Sequence, residues 1–173
     1  MSAMSLRKIV MFILFVALGA GSSVAEETWV VRMVGVGPVK IGMKLPEINS
    51  LLQETFALPK DKDEQSCFYV TPEKHAHVAF MMVDGVLARV DVDAPGVPTA
   101  EGIQVGDTEA QALKVYGTKT KVEPHKYTGP QGHYLTVKSS SGKYGIRFET
   151  DRGKITRFYA GKFEAVQYVE GCG

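Results

Sequence analysis

Val39-Lys40-Ile41-Gly42-Met43, leading into an apolar-periodic stretch, returns 64 positions later as Ile103-Gln104-Val105-Gly106-Asp107, leading into another. Further on, Phe80, Gly85, Arg89 and Val90 are matched by Phe148, Gly153, Arg157 and Phe158 at a constant offset of 68, so the connection between the two landmarks has changed length by four. Recurrence in fixed order at this scale predicts two copies of one supersecondary unit packed together. It does not name a ligand.

Within each copy the periodicity changes from helical to extended. Leu45, Ile48, Leu51, Leu52 and Phe56 have the spacing of an amphipathic helix, with Pro46 tolerated in its first turn. The second helix is announced by Thr108 with Gln111 three residues on, a capping box; it is expected to bury Ala112, Val115 and Tyr116 and to stop at Gly117. Strands are expected at 67–70, 77–83 and 86–92 in the first half, with Asp84-Gly85 as a hairpin turn. In the second half they are expected at 134–137, 144–149, 154–159 and 165–169. Alternation in Val90-Asp91-Val92 and Ile146-Arg147-Phe148 implies sheets with one wet face. Asp93-Ala94-Pro95-Gly96-Val97-Pro98-Thr99 reads as a semi-rigid connector. The fold class is therefore α+β: two tandem repeats, each a short helix followed by an antiparallel β-meander. Neither half is large enough to bury much core alone, so they are expected to pack as one domain over 26–173, divided at about 35–97 and 98–173.

Arg7 and Lys8, the apolar run from Ile9 to Ala20, and Ser23-Val24-Ala25 have the layout of a secretory signal over residues 1–25, too short to serve as a membrane span. The mature protein is thus expected to be periplasmic or secreted, with no stable membrane insertion. Residues 26–173 carry 18 basic against 19 acidic side chains, and this near-neutrality, without a basic stripe, argues against nucleic acid as a partner. Cys67 and Cys172, both in the exported part, are expected to form a disulfide tying the end of the chain to the first repeat. No nucleotide-binding glycine loop, nucleophile elbow or paired-cysteine metal motif occurs, and no cofactor is expected.

A glycine-ended apolar entry, a short helix and a meander, all duplicated on Gly42, Gly85, Gly106 and Gly153, resembles the tandem-repeat β-lactamase inhibitor protein fold, which is related to small outer-membrane assembly lipoproteins. That resemblance is architectural and implies an exported binding module without catalysis; the inhibitor family's two intra-repeat disulfides are not matched here, where one bridge is possible. More locally, Ser141-Gly142-Lys143-Tyr144 resembles the Ser-Gly-x-Tyr loop that periplasmic lysozyme inhibitors insert into the lysozyme cleft. The resemblance implies Ser141, Gly142 and Tyr144 as partner-binding residues, with Lys126, Tyr127 and Tyr134 as neighbours. Hydroxyl donors on a rigid turn suit a cleft built on two carboxylates. A hairpin turn alone accounts for the same four residues.

Three other constellations could carry chemistry. Glu73, His75 and His77, if on one strand, would share a face that could hold a divalent metal, although a solvated strand end explains them as well. Asp91 and Asp93, with Glu170 nearby, could act as acid and base or bind calcium, but Arg89 on the same face and Arg157 in the matching place read as charges lining an exposed sheet. Ser140-x-x-Lys143 matches an acylating motif in form only, since that motif needs a helix start and this serine lies in a turn. The expected function is a non-catalytic protein-binding role, as an inhibitor of an envelope-attacking hydrolase such as lysozyme; the rival is an envelope assembly or maintenance factor binding an outer-membrane protein or peptidoglycan.

Overall fold

The computed structural model describes residues 29–173 of the chain; the expected signal segment, 1–25, lies outside the described residues. The elements follow the sequence closely. Three short strands, β1 (Val31–Arg32), β2 (Gly35–Val36) and β3 (Val39–Lys40), form a small antiparallel sheet ahead of helix α1 (Leu45–Leu52). Strands β4 (Cys67–Val70), β5 (Val78–Val83) and β6 (Val86–Val92) then form a meander. After helix α2 (Glu109–Tyr116) come β7 (Thr120–His125), β8 (Gly129–Lys138), β9 (Tyr144–Asp151) and β10 (Lys154–Lys162). The two meanders join through antiparallel pairing of β6 with β10, giving one seven-stranded sheet in the order β4-β5-β6-β10-β9-β8-β7.

The helices are short and end where their side chains dictate. Thr108 Oγ1 accepts the Gln111 N–H at 3.1 Å while Gln111 Oε1 accepts the Thr108 N–H at 2.8 Å, the reciprocal cap expected from the sequence. α1 stops at Leu52, short of Phe56, because Gln53 turns left-handed and the Asn49 side chain bonds both the N–H and the carbonyl of Phe56. Leu45, Ile48 and Ala112 lie in one continuous core with Val31, Val36, Val39, Phe80, Val90, Phe148 and Phe158, so both helices and the small sheet cover the same face of the large sheet. Val115, expected inside, is exposed, since an eight-residue helix presents only a narrow stripe to the core.

Each helix is anchored to the sheet by the same pair of backbone bonds. Gly42 donates to the Leu87 carbonyl and Leu87 to that of Met43, both at 2.8 Å; Gly106 donates to Ile155 and Ile155 to Asp107, both at 2.9 Å. The two glycines sit at φ +94° and +93°, the left-handed region that a side chain makes costly, which is why the residue recurs there.

Three expectations are corrected. β7 is a strand the sequence pattern does not announce: Thr-Lys-Val-Glu-Pro-His has no apolar alternation, and as an edge strand it pairs its backbone with β8, with Val122 exposed and the His125 side chain at its end buried. Residues 165–169 are not a strand but begin with a 3-10 turn over Ala165–Gln167, and an arginine side chain takes the carbonyls of Ala165 and Tyr168. The sheet's second face is not simply wet, because the segment 163–173 crosses it; Ala165 and Val166 are buried, and a Cβ on Gly145 would come within 2.9 Å of the Phe163 ring.

Cys67 and Cys172 are joined by a disulfide with Cα atoms 5.3 Å apart, spanning 105 positions and fixing this segment to β4. In the chain-entropy account a loop of this length contributes on the order of 4 kcal/mol. Replacing both cysteines by serine is expected to lower the free energy of unfolding by about 2–4 kcal/mol in denaturant titration while leaving the far-ultraviolet circular dichroism unchanged.

Candidate functional site

The turn joining β8 to β9 carries Ser141, Gly142 and Tyr144. Its backbone closes by Gly142 N–H to the Ser139 carbonyl and Ser139 N–H to the Tyr144 carbonyl, both at 2.9 Å. Gly142 adopts φ +74°, which accounts for the glycine. Side chains add a second layer: Ser139 Oγ accepts the Tyr144 N–H at 3.1 Å, Ser141 Oγ accepts the Lys143 N–H at 3.4 Å, and the two serine oxygens lie 3.1 Å apart. When Ser139 gives its proton to Ser141, the Ser141 hydroxyl proton has no acceptor in the turn. Ser141 is exposed, Tyr144 is half-buried, and the Tyr144 hydroxyl makes no hydrogen bond among the described residues. The turn thus holds two hydroxyl donors on a backbone already ordered.

Lys126, Tyr127 and Tyr134 are not neighbours of this turn. Lys126 and Tyr127 lie beyond the opposite end of β8, a ten-residue strand roughly 30 Å long, and both bond the Glu170 carboxylate, Lys126 at 2.6 Å. Hydrogen bonds from Lys126 and then Tyr127 hold Glu170 below the usual carboxylate range. Tyr134 stacks on His125 with ring centres 4.4 Å apart.

A concavity of about 510 Å³ lies on the second face of the sheet beside segment 163–173. Arg89 forms its floor and is 3% exposed. Its Nε and Nη2 donate to the two Asp91 oxygens at 2.7 Å, Nη2 also donates to the Tyr69 hydroxyl at 2.7 Å, and Nη1 donates to the carbonyls of Ala165 and Tyr168 at 2.9 and 2.7 Å. All five guanidinium donors are used, and the plane also lies 4.2 Å from the Tyr159 ring centre. Arg89 and its half-buried partner Asp91 are therefore a structural pair and not charges on an exposed face. Burial, then the Asp91 carboxylate, pushes the Tyr69 hydroxyl up to about 12, keeping it a neutral donor.

Glu149, also buried, accepts from Tyr159 at 3.1 Å and lies 3.2 Å from His125 Nε2; Arg147 donates to Thr136 and Gln167. Asp91 and Glu149 are thus both engaged by fixed partners, an arrangement suited to holding a segment in place. Arg157, the counterpart of Arg89, is exposed in the cleft, and its guanidinium makes no hydrogen bond or ion pair among the described residues. The difference follows from segment 163–173, which covers one arginine and not the other. The sequence carried a signal for this cover that alternation alone concealed: Gly145 interrupts the outer face of β9, where Phe163 and Val166 pack against it.

Glu73, His75 and His77 do not share a strand face. Glu73–His75 is a 3-10 turn, His75 stacks on Trp29 at 3.7 Å between ring centres, and His77 faces Asp93 at 3.5 Å. Among the described residues no cluster of three or more His, Cys, Asp or Glu side chains could hold a metal ion. Asp93 is exposed beside His77, apart from the Asp91 network. Ser140 is exposed in the turn, not at a helix start. No helix among the described residues is long and apolar enough to cross a membrane. No protein-family model, curated protein or solved structure matches the chain.

Two outcomes follow from the arginine network. Arg89→Lys leaves buried acceptors unpaired and is expected to lower stability by about 3–5 kcal/mol, measured by chemical denaturation; a loss under 1 kcal/mol would show that the network does not hold the fold. Tyr69 is raised in the folded state, so its contribution is complete below about 10 and is lost as pH rises toward about 12; Tyr69→Phe is expected to flatten the stability profile in that window.

Proposed function

We propose that this is an exported, non-catalytic binding protein that inhibits an envelope-attacking hydrolase of the lysozyme type, with Ser141 and Tyr144 as its contact residues. The observation that carries this reading is the turn itself, where Ser141 is exposed, the Tyr144 hydroxyl makes no hydrogen bond among the described residues, and the backbone beneath them is tied by its own hydrogen bonds. A lysozyme-type site offers two carboxylates as acceptors, and a pre-ordered donor pair loses little conformational freedom on meeting them. The engagement of Asp91 and Glu149 by fixed partners supports a binding role over catalysis. The disulfide suits an oxidising compartment, in line with reading residues 1–25 as an export signal.

The matched anchoring bonds at Gly42 and Gly106 support reading the domain as two copies of one helix-and-meander unit, about 35–97 and 98–173, with β7 as an addition to the second. The rival role, an envelope assembly or maintenance factor, would call for one broad apolar patch. The large hydrophobic side chains at the surface are Val34, Leu51, Leu58, Val115 and Val122, from five different segments, together with Tyr69, Tyr127 and Tyr168, of which the first two use their hydroxyls in hydrogen bonds.

Residues 26–173 are expected to inhibit at least one of the chicken-, goose- and invertebrate-type lysozymes stoichiometrically. Ser141→Ala with Tyr144→Ala is expected to weaken inhibition by about 30-fold or more while the far-ultraviolet circular dichroism shows the protein still folded. No inhibition of any type at micromolar protein would put the envelope-factor reading ahead.

A further inference from the structure

Five cations gather around the turn that carries Ser141 and Tyr144. Tyr144 stands between two hollows, one of about 450 Å³ lined by Lys143, Lys162 and Phe163, the other of about 380 Å³ lined by Arg32, Lys40 and Val34. Lys162 is the cross-strand partner of Tyr144, and Lys138 completes the set from β8, its Nζ 4.1 Å from the centre of the Phe163 ring. None of the five makes an ion pair among the described residues, and Glu164 is the one carboxylate lining either hollow. Residues 29–173 carry 18 basic and 17 acidic side chains; with these five and Glu164 set aside, 13 basic face 16 acidic, so this face has the opposite sign to the remainder.

We propose that this face docks a protein whose own surface is acidic. If the inhibitor reading on which this inference rests is right, the hydrolase carries a rim of carboxylates around its cleft. An aromatic centre with unpaired cations at its margin has the anatomy of a protein interface, in which charged rim groups steer association and the centre holds the complex. Hollows on either side of a half-buried tyrosine accept protruding side chains, which a flat bilayer surface cannot supply. The division of labour has a kinetic signature: the cations set the association rate and its salt dependence, and the turn hydroxyls set the dissociation rate.

Two measurements on the folded chain decide this. In the first, short poly-L-glutamate is titrated into isotope-labelled protein and amide shifts are followed by NMR, with phosphatidylglycerol vesicles as a second probe. Shifts are expected at residues 32, 40, 138–144 and 162–164 with poly-L-glutamate, fading between about 50 and 300 mM salt as screening shortens its reach. Scattered or absent shifts, or stronger perturbation of the same amides by the vesicles, would overturn the proposal. In the second, binding kinetics to each lysozyme type are measured for Lys143→Glu with Lys162→Glu and for Ser141→Ala with Tyr144→Ala. The charge reversal is expected to slow association by about 10-fold or more, and the alanine pair to speed dissociation. A lysozyme bound equally fast by the charge-reversed protein would sink the acidic-partner proposal and leave the inhibitor reading standing. Poly-L-glutamate bound at this face while no lysozyme is bound would sink the inhibitor reading and leave the acidic partner.

Discussion

One buried guanidinium closes the second face of the sheet. A large antiparallel sheet with helices on one side can leave its other side in water, and the alternation in these strands is of that kind. Here Arg89 reaches from the middle of the sheet and takes the carbonyls of Ala165 and Tyr168, while Asp91 and Tyr69 occupy its remaining donors. A segment without strand partners thereby has its backbone satisfied and its two apolar side chains buried. The disulfide tethers that segment to β4, and the Lys126 and Tyr127 bonds to Glu170 tie it to the far edge of the sheet. Removing the arginine takes hydrogen bonds from the Asp91 carboxylate and from two carbonyls together, and acceptors stripped of a donor away from water are costly.

The same segment reaches the turn between β8 and β9. Phe163 donates its N–H to the Lys143 carbonyl at 2.8 Å, and its ring packs against Gly145 and under the Lys138 ammonium. The turn is therefore braced from inside by its serines and from below by the segment that Arg89 holds. A turn ordered in this way could present hydroxyls to a partner without first having to be organised, and in the proposed complex the cations around it would steer the encounter.

Much of the architecture was legible because it rests on local rules. The capping box at Thr108, the Asp84-Gly85 turn and the recurring glycines at 42 and 106 each demand one backbone geometry, and each adopts it. The errors share a different origin. β7 lacks alternation because an edge strand needs only its backbone, and residues 165–169 alternate like a strand although a side chain from another strand takes their carbonyls. Arg89 and Arg157 hold equivalent places in the sequence, so nothing local distinguished the buried one from the exposed one; the difference lies in which is crossed by a distant segment. The turn at Ser139–Tyr144 was legible as a turn, whereas the cations around it come from four separate strands and a loop, and only the fold brings them together.

Arg89, segment 163–173 and the turn are expected to open as one cooperative unit. Native-state hydrogen exchange, followed amide by amide as denaturant is raised, tests it directly. The expected result is that the amides of Tyr144, Phe163, Gln167 and Tyr168 open with a common free energy and a common dependence on denaturant. Opening of Gln167 and Tyr168 at a clearly lower free energy, with Tyr144 still protected, would contradict it.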